Sequence, residues 1–296
     1  MTELRHDNWI GSTYGNSWMH HWLIKILRVT DVCILYAFAY VFVVPPTMLI
    51  QKKERKAIYN YFRKRHGLSK LKAAWMTYRN HCSFAQVVID KFAMYAGKKF
   101  KITMDGYEAF EELSKATEGF VQLSSHIGNY EIAGYSLVAK DKRFNALVFG
   151  GEKESVMANR SHMFEDKNIR MIPMKNDLSH LFFLDNALSA GEILSMPADR
   201  LFGSSKSFTL NFFGAEAHFP QGPFVIAAAR RVPMLFVAVM KSGKTSYHII
   251  IKKIPGPISQ NNREKAHELA QSYVDCLEKV IRKYPLQWYN YFEFWT

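Results

Sequence analysis

The chain has 296 residues, of which 48% are hydrophobic, and a formal net charge of +13 at pH 7. Its length is sufficient for a large core, and its positive charge indicates an anionic partner such as nucleic acid, an anionic bilayer or an acidic carrier protein. Only three cysteines occur, and they lie far apart. This spacing excludes a disulfide framework and a CxxC site, and it suits a reducing compartment.

The N-terminal part of the chain combines a polar start with an apolar segment. Residues 1–15 lack the charged-then-apolar pattern of a signal peptide, so we do not expect export. An uncharged apolar run extends from Val32 to Val44 and ends at Pro45-Pro46. A run of this length falls short of the about 20 residues that cross a hydrocarbon core. We predict a helix that lies in or dips into one leaflet, with Trp18 and Trp22 at the interface; a buried core helix is the alternative.

A basic segment follows the apolar one. Residues 51–72 contain nine Lys and Arg residues against one Glu. Such a cluster beside an apolar helix is attracted to an anionic leaflet by about 1 kcal/mol per charge, although an ordinary solvated helix face has the same composition. Residues 73–95 predict a packed helix. We therefore divide the chain into an N-terminal membrane-associating and helical segment, 1–95, and an α/β core, 96–296, which together form one continuous domain.

From about residue 100, short apolar runs alternate with amphipathic segments. Strands are expected at 120–123, 146–149, 170–172, 193–196, 234–239 and 248–254, with helices at 131–138, 153–165, 178–188 and 224–229. Apolar residues at three- and four-residue intervals over 266–281 predict one further amphipathic helix. The pattern indicates an α/β fold with a mixed, largely parallel sheet flanked by helices. The aromatic tail after it packs on the core or contacts the bilayer.

The segment between the strand at 120–123 and the next helix contains a candidate catalytic pair. His126 stands five residues before Glu131, and residues five apart on a helix point about 140° apart, so His126 must precede the helix. Gly128 lets the backbone bend. Glu131 can then accept a proton from one imidazole nitrogen and leave the other as a base for a hydroxyl or amine that attacks an acyl group. The alternative is a helix-entry loop with a surface histidine and a capping glutamate.

A second polar segment follows the strand at 193–196. Asp199 and Arg200 come directly after it, and ligands of such sheets gather at the carboxyl ends of strands. The pair is suited to hold a phosphate or position a catalytic loop, or it is a salt bridge that ties a loop. A rigid loop before the helix at 224 is predicted by Gly214, Pro220, Gly222 and Pro223.

Several other activities lack their motifs. The chain has no G-x-S-x-G elbow, H-E-x-x-H zinc helix, G-x-x-x-x-G-K-[ST] loop or G-x-G-x-x-G fingerprint. The remaining histidines show no metal-ligand spacing. We therefore expect neither a metal nor a cofactor.

Three motifs occur in a fixed order along the chain. They are H-x-G-N-Y-E at His126 to Glu131, P-A-D-R at Pro197 to Arg200, and N-F-F-G-A-x-A-x-x-P-x-G-P at Asn211 to Pro223. In order and spacing they resemble the late acyltransferases of lipid A biosynthesis, the lauroyl and myristoyl acyltransferases, within the lysophospholipid acyltransferase superfamily. The resemblance spans most of the chain and is specific as a combination.

The resemblance implies transfer of a fatty acyl group from an acyl carrier protein or CoA thioester to a lipid acceptor, a lipid A precursor. The location that it implies is the cytoplasmic face of the cell inner membrane, with no metal. The net charge and the basic segment at 51–72 add an anionic membrane surface as an expected partner, and we expect no nucleic acid. It implies that His126 is the general base and Glu131 its partner. The residues that it implies for substrate binding are Asn129, Arg160, Asp199, Arg200 and Gly222.

The oxyanion of the reaction needs hydrogen-bond donors. The nearest candidates are backbone N–H groups at the start of the helix, near Gly128 to Glu131.

One departure from the family leaves the acceptor open. Where the family commonly has V-Y-R-P, residues 148–153 read Val-Phe-Gly-Gly-Glu-Lys, and Arg160 matches a later family arginine only loosely. An amino-acid lipid or a polyene or resorcinol precursor is therefore an alternative acceptor. A nucleic-acid-binding protein is the alternative from another class, disfavoured because the chain has no RNP-type motif and its basic cluster adjoins an apolar run.

Overall fold

The architecture was analysed in a computed structural model, which describes residues 17–148, 168–174, 180–201 and 206–295. The strands are β1 Lys101–Asp105, β2 Phe120–Ser124, β3 Phe144–Val148, β4 Ile169–Pro173, β5 Ile193–Pro197, β6 Ser207–Phe212, β7 Ala215–Pro220, β8 Met234–Gly243 and β9 Ser246–Lys253. Within these residues, seven strands form one sheet in the order β1-β9-β8-β2-β5-β3-β4. All neighbours are parallel except β8 and β9. The predicted mixed, largely parallel sheet is confirmed.

Helices cover both faces of this sheet. Those of the core are α6 Tyr107–Lys115, α7 Glu131–Ser136, α8 His180–Ser189, α9 Gly222–Arg230 and α10 Asn262–Lys283. Side chains of β8 alternate between two hydrophobic clusters, with Phe236 in one and Val237 in the other, because a central strand is buried on both faces. The eight apolar residues that predicted α10 are all buried. The predicted helix at 153–165 lies outside the described residues.

The N-terminal helices are α1 Ser17–Val29, α2 Val32–Phe38, α3 Val44–Ile50, α4 Lys52–Asn60 and α5 Lys70–Tyr95. π-helical turns at Ala39–Val43 and Tyr61–Arg65 complete them. Ile58 and Phe62 lie in the same hydrophobic cluster as Leu123 of β2. Helix α4 and the turn after it therefore share a core with the sheet, whereas α1 and α2 pack with the C-terminal half of α5 in a separate cluster. The division at residue 95 stays a prediction.

The apolar helix continues beyond the point where we expected it to end. Pro45 and Pro46 occupy the first turn of α3, where the N–H group that proline lacks has no partner within that helix. The wide π-helical turn at Ala39–Val43 leads directly into α3. Val32–Ile50 is therefore one 19-residue helical run of mean hydropathy 2.0. A run of that length rises about 28 Å, close to the thickness of a hydrocarbon core. Only 17% of its most apolar 18 residues are buried, which disfavours the alternative that this run is a buried core helix.

One C-terminal feature differs from the sequence expectation, and a second decides between two alternatives that the sequence left open. The segment that we predicted as a rigid loop forms the antiparallel hairpin β6–β7, and α9 follows it from Gly222. The aromatic tail packs on the core: Trp288 and Phe294 are buried, and Trp295 Nε1 donates to the carbonyl oxygen of Phe212 at 3.0 Å. The sequence did not predict β6 and β7 because polar and apolar residues alternate over only six residues in each strand, and Gly and Pro residues flank them.

Candidate active site

His126 lies on the loop between β2 and α7, at the carboxyl end of the sheet. We call residues 125–130 the His126 loop. As predicted, His126 precedes the helix, which begins at Glu131. Gly128 has φ +52°, and a Cβ there would stand 1.9 Å from the carbonyl oxygen of Val239. Glycine is therefore required both by the backbone conformation and by the close approach of β8.

Backbone hydrogen bonds tie this loop to β8 and to the C-terminal tail. The Gly128 N–H donates to the oxygen of Gln287, and the Asn129 N–H donates to the oxygen of Val239, each at 2.8 Å. The Tyr289 N–H donates to the oxygen of His126 at 3.1 Å. The Gly128 and Asn129 amides are thus already engaged, which argues against these two as oxyanion donors. The expectation for the amides of Tyr130 and Glu131 stays a prediction.

Asp199 is the carboxylate that orients the His126 ring. Strands β2 and β5 are parallel neighbours with Ser124 opposite Pro197, which brings the residues beyond their ends together. Asp199 Oδ1 lies 2.8 Å from His126 Nδ1, and its Oδ2 accepts the His126 backbone N–H at 2.8 Å. Because an ionised carboxylate only accepts hydrogen bonds, Nδ1 carries the proton and Nε2 is the basic nitrogen.

Glu131 has a different set of contacts from the one we predicted. Its Oε1 pairs with Lys91 Nζ at 2.8 Å, and its Oε2 accepts a hydrogen bond from the Tyr95 hydroxyl at 3.1 Å. Both partners come from α5. The predicted pairing of His126 with Glu131 is therefore corrected: Asp199 occupies Nδ1, and Glu131 joins the start of α7 to α5.

Charges near His126 favour its neutral form. Burial lowers the pKa of His126, the Arg200 guanidinium lowers it further, and Asp199 opposes both. Burial alone would raise the pKa of Asp199, but the charge and hydrogen bonds of His126, together with Arg200, hold this pKa below its ordinary value. An ionised carboxylate beside a neutral imidazole is the resting state that a general base requires.

The other predicted site residues are distributed differently. Arg200 is buried and donates to the oxygen of Tyr289 at 2.8 Å. Asn129 is also buried, and its Nδ2 donates to the Tyr247 hydroxyl at 3.4 Å. Gly222 is the first residue of α9, and a Cβ there would have nothing within 4 Å. Arg160 lies outside the described residues. Within the described part of the chain, no three His, Cys, Asp or Glu side chains converge as metal ligands would.

Sequence reasoning missed the supports of the site. Lys91 and Tyr95 are four residues apart on α5, so they lie on one face of the helix, but this spacing does not predict which residue they contact. Gln287 and Tyr289 belong to the aromatic tail, whose position the sequence left open. Asn80 of α5 holds that tail by donating to the oxygens of Leu286 at 3.0 Å and Trp288 at 2.9 Å.

A comparison with protein families identifies the chain. The model of the bacterial lipid A biosynthesis acyltransferases matches residues 78–295, which include the strands, the His126 loop, Asp199 and the tail. The chain belongs to this family. The resemblance seen in the motifs is thereby confirmed, and the lipid A acyltransferase family member described here is an enzyme of the acyltransferase class. None of the curated proteins compared with it matches significantly.

Family membership also bears on location. Lipid A acyltransferases are membrane-associated, and in the described part of the chain this member has one helix, Val32–Ile50, that is long and apolar enough to cross a membrane. Because the chain belongs to a family of enzymes that acylate lipid, we reject the alternative of a nucleic-acid-binding protein.

Proposed function

We propose that the protein transfers a fatty acyl chain from an acyl carrier protein or CoA thioester to a hydroxyl of a lipid A precursor, with His126 as the general base. The observation that carries the proposal is the His126–Asp199 pair at the carboxyl ends of two adjacent parallel strands, inside a lipid acyltransferase family. An amino-acid lipid or a polyene or resorcinol precursor remains the second candidate acceptor, because the V-Y-R-P arginine is missing.

In the proposed mechanism, His126 Nε2 takes the proton from the acceptor hydroxyl as its oxygen attacks the thioester carbonyl carbon. Asp199 holds the ring tautomer and stabilises the imidazolium. The tetrahedral intermediate then collapses, the carbon–sulfur bond breaks, and the imidazolium returns the proton to the thiolate. The products are an ester and a free thiol, and the enzyme is regenerated without a covalent acyl-enzyme.

The N-terminal helices support a location at the cytoplasmic face of the inner membrane. Ile34, Phe38 and Val41 project an exposed apolar stripe from the apolar helix, and Trp18 and Trp22 are exposed on α1. Lys and Arg residues concentrate directly after the apolar helix, and such clusters mark the cytoplasmic side. We propose that the apolar helix enters the bilayer from that side.

A basic cleft beside the end of this helix supports an anionic membrane surface as partner. The cleft encloses about 570 Å³ between α3, α4 and α5. Exposed Leu49, Ile50, Leu71 and Trp75 lie on the same helices. Among the described residues, no ion pair involves the three cations of the cleft. The lining is formed by Met48, Lys52, Arg55, Lys56, Tyr59, Ala74 and Thr77.

Replacement of Lys52, Arg55 and Lys56 together by glutamine is expected to weaken binding to anionic vesicles by roughly 100-fold, since each cation near such a surface contributes about 1 kcal/mol. The matched control is the same charge change on α10, Arg263, Lys265 and Lys279 to glutamine. Vesicle sedimentation at low and high salt measures both variants. Equal weakening by both variants, or binding insensitive to salt, would contradict a specific role of the cleft.

Acyl transfer is expected to decline as the pH falls, because only the neutral imidazole accepts a proton. The pKa of His126 lies below its ordinary value of 6.5, so the midpoint of this decline should also lie below 6.5. Replacing Arg200 by glutamine removes a repelling cation, raises the pKa of His126 and should move the midpoint to higher pH. The dependence of kcat/KM on pH measures both, and a midpoint that falls in the variant would contradict the assignment.

The function itself is tested with purified protein in detergent, an acyl carrier protein or CoA thioester, and total lipid from a strain that lacks the gene. Mass spectrometry should find a lipid heavier by one acyl chain, and fragmentation identifies the acceptor. A lipid A precursor supports the proposal, an amino-acid or resorcinol lipid supports the second candidate, and no acylated lipid with either thioester contradicts both.

A further inference from the structure

Behind the His126 loop lies a buried polar cluster to which the mechanism assigns no part. Its centre is Asp90 of α5, which is 0% exposed. Lys241 Nζ of β8 pairs with Asp90 Oδ2 at 2.5 Å. The Tyr247 hydroxyl of β9 donates to the same carboxylate, and so does the Tyr36 hydroxyl of the apolar helix. One carboxylate thus joins α5, the sheet and the helix that we propose enters the membrane.

The cluster reaches the His126 loop by two routes. In the first, Asn129 Nδ2 donates to the Tyr247 hydroxyl, which in turn donates to Asp90. In the second, the Gln287 side chain accepts the Lys241 N–H at 2.8 Å and donates to the Lys241 oxygen at 2.9 Å. The carbonyl oxygen of that same Gln287 accepts the Gly128 N–H. Both routes end within three residues of His126.

Stability alone is a weak reason for such a cluster. Burial raises the pKa of Asp90 and lowers that of Lys241, so each charge depends on its partner and on its hydrogen bonds. The Lys241 ammonium also lies over the Tyr36, Phe100 and Tyr247 rings. Buried ion pairs of this kind are often no more stabilising than apolar side chains of similar volume. What the cluster supplies that apolar packing does not is direction, because each hydrogen bond fixes the orientation of its partner.

We propose that Asp90 is a positioning residue for acyl transfer: through Tyr247 and Asn129 it holds the His126 loop where Nε2 meets the acceptor hydroxyl. Its kinetic consequence rests on the proposed function, whereas its effect on the loop does not. Asn129 is then a support of the loop, in place of the substrate contact that the family resemblance implies.

Two tyrosine-to-phenylalanine variants test this inference, because each removes one of the hydroxyl groups that donate a hydrogen bond to the Asp90 carboxylate. Tyr247→Phe removes the link to Asn129, and we expect kcat to fall by about 10- to 100-fold with KM little changed, as for a misplaced catalytic group. Tyr36→Phe removes the link to the apolar helix and should leave kcat near the wild-type value. Asn129→Ala should add little to the effect of Tyr247→Phe, because both act on one hydrogen bond.

A second readout, hydrogen exchange of the Gly128 and Asn129 amides, is independent of turnover. It should accelerate in Tyr247→Phe and remain unchanged in Tyr36→Phe. Equal kcat and equal exchange in the two variants would overturn the inference, even if both unfold at lower temperature. If the wild type acylates no lipid, the proposed function fails, and the exchange data still decide whether Asp90 positions the loop.

Discussion

Alanine in place of His126 is expected to reduce kcat by roughly 10²–10⁴-fold, the usual contribution of a general base. The reason is geometric as well as chemical, since among the described residues the His126 imidazole is the ring that Asp199 holds at the carboxyl ends of β2 and β5. Binding to vesicles should be retained, because the basic cleft and the apolar helix are unchanged. Single-turnover acyl transfer and vesicle sedimentation measure the two properties separately.

The chain offers a matched control for this variant. His248 Nε2 pairs with Asp105 at 2.9 Å between β9 and β1, and its side chain is exposed to the same 17% as that of His126. His248→Ala deletes a second His–Asp pair at the edge of the sheet, one whose carboxylate is 73% exposed, and should leave kcat nearly unchanged. Addition of imidazole should restore part of the activity of His126→Ala and should not change that of His248→Ala. Wild-type acyl transfer by His126→Ala would remove the histidine from the mechanism.

Asparagine in place of Asp199 is expected to lower kcat by roughly 10²–10⁴-fold as well, because the tautomer of the base depends on this carboxylate. An asparagine amide can turn its NH₂ group toward Nδ1, which favours the tautomer with the proton on Nε2 and abolishes the base. It also lacks the negative charge that stabilises the imidazolium. Loss of Asp199 removes a group that raises the pKa of His126, so the residual activity should extend to lower pH.

Glu131→Gln tests which of two carboxylates, Asp199 or Glu131, orients the His126 ring. Glutamine keeps a hydrogen bond to Tyr95 or Lys91 but loses the ion pair with Lys91, which should lower the free energy of unfolding by about 1–3 kcal/mol. The pH dependence of kcat should remain that of the wild type. Thermal unfolding and kinetics on both variants give the comparison. If Glu131→Gln loses turnover as Asp199→Asn is expected to, and Asp199→Asn does not, Glu131 is the orienting carboxylate after all.

The local features of the site follow from the sequence alone. The spacing of His126 and Glu131 required the histidine to precede the helix, and the helix does begin at Glu131. The three- and four-residue repeat of α10 predicted a buried face, and all eight of those residues are buried. Such patterns are readable because helix periodicity and helix boundaries depend on neighbours in the chain.

The extent of the apolar helix was less readable. Pro45 and Pro46 usually end a helix, but here a wide turn precedes them and places them at the start of a new helical turn. A proline at that position breaks nothing, so the apolar run reaches Ile50. Composition predicted an apolar membrane-associating helix, and the backbone decided that it is long enough to cross.

The chemical pairings were decided by tertiary structure. Asp199 stands 73 residues after His126, and the two meet because β2 and β5 are neighbours in the sheet. Strand order depends on how all the strands and helices pack, and no local pattern encodes it. By itself the sequence determined the residue types, the family and the position of the histidine before a helix. Only the fold decided that Asp199 faces the imidazole, that Glu131 faces α5, and that Tyr247 links Asp90 to the loop, because each of those contacts joins segments that are far apart in the chain.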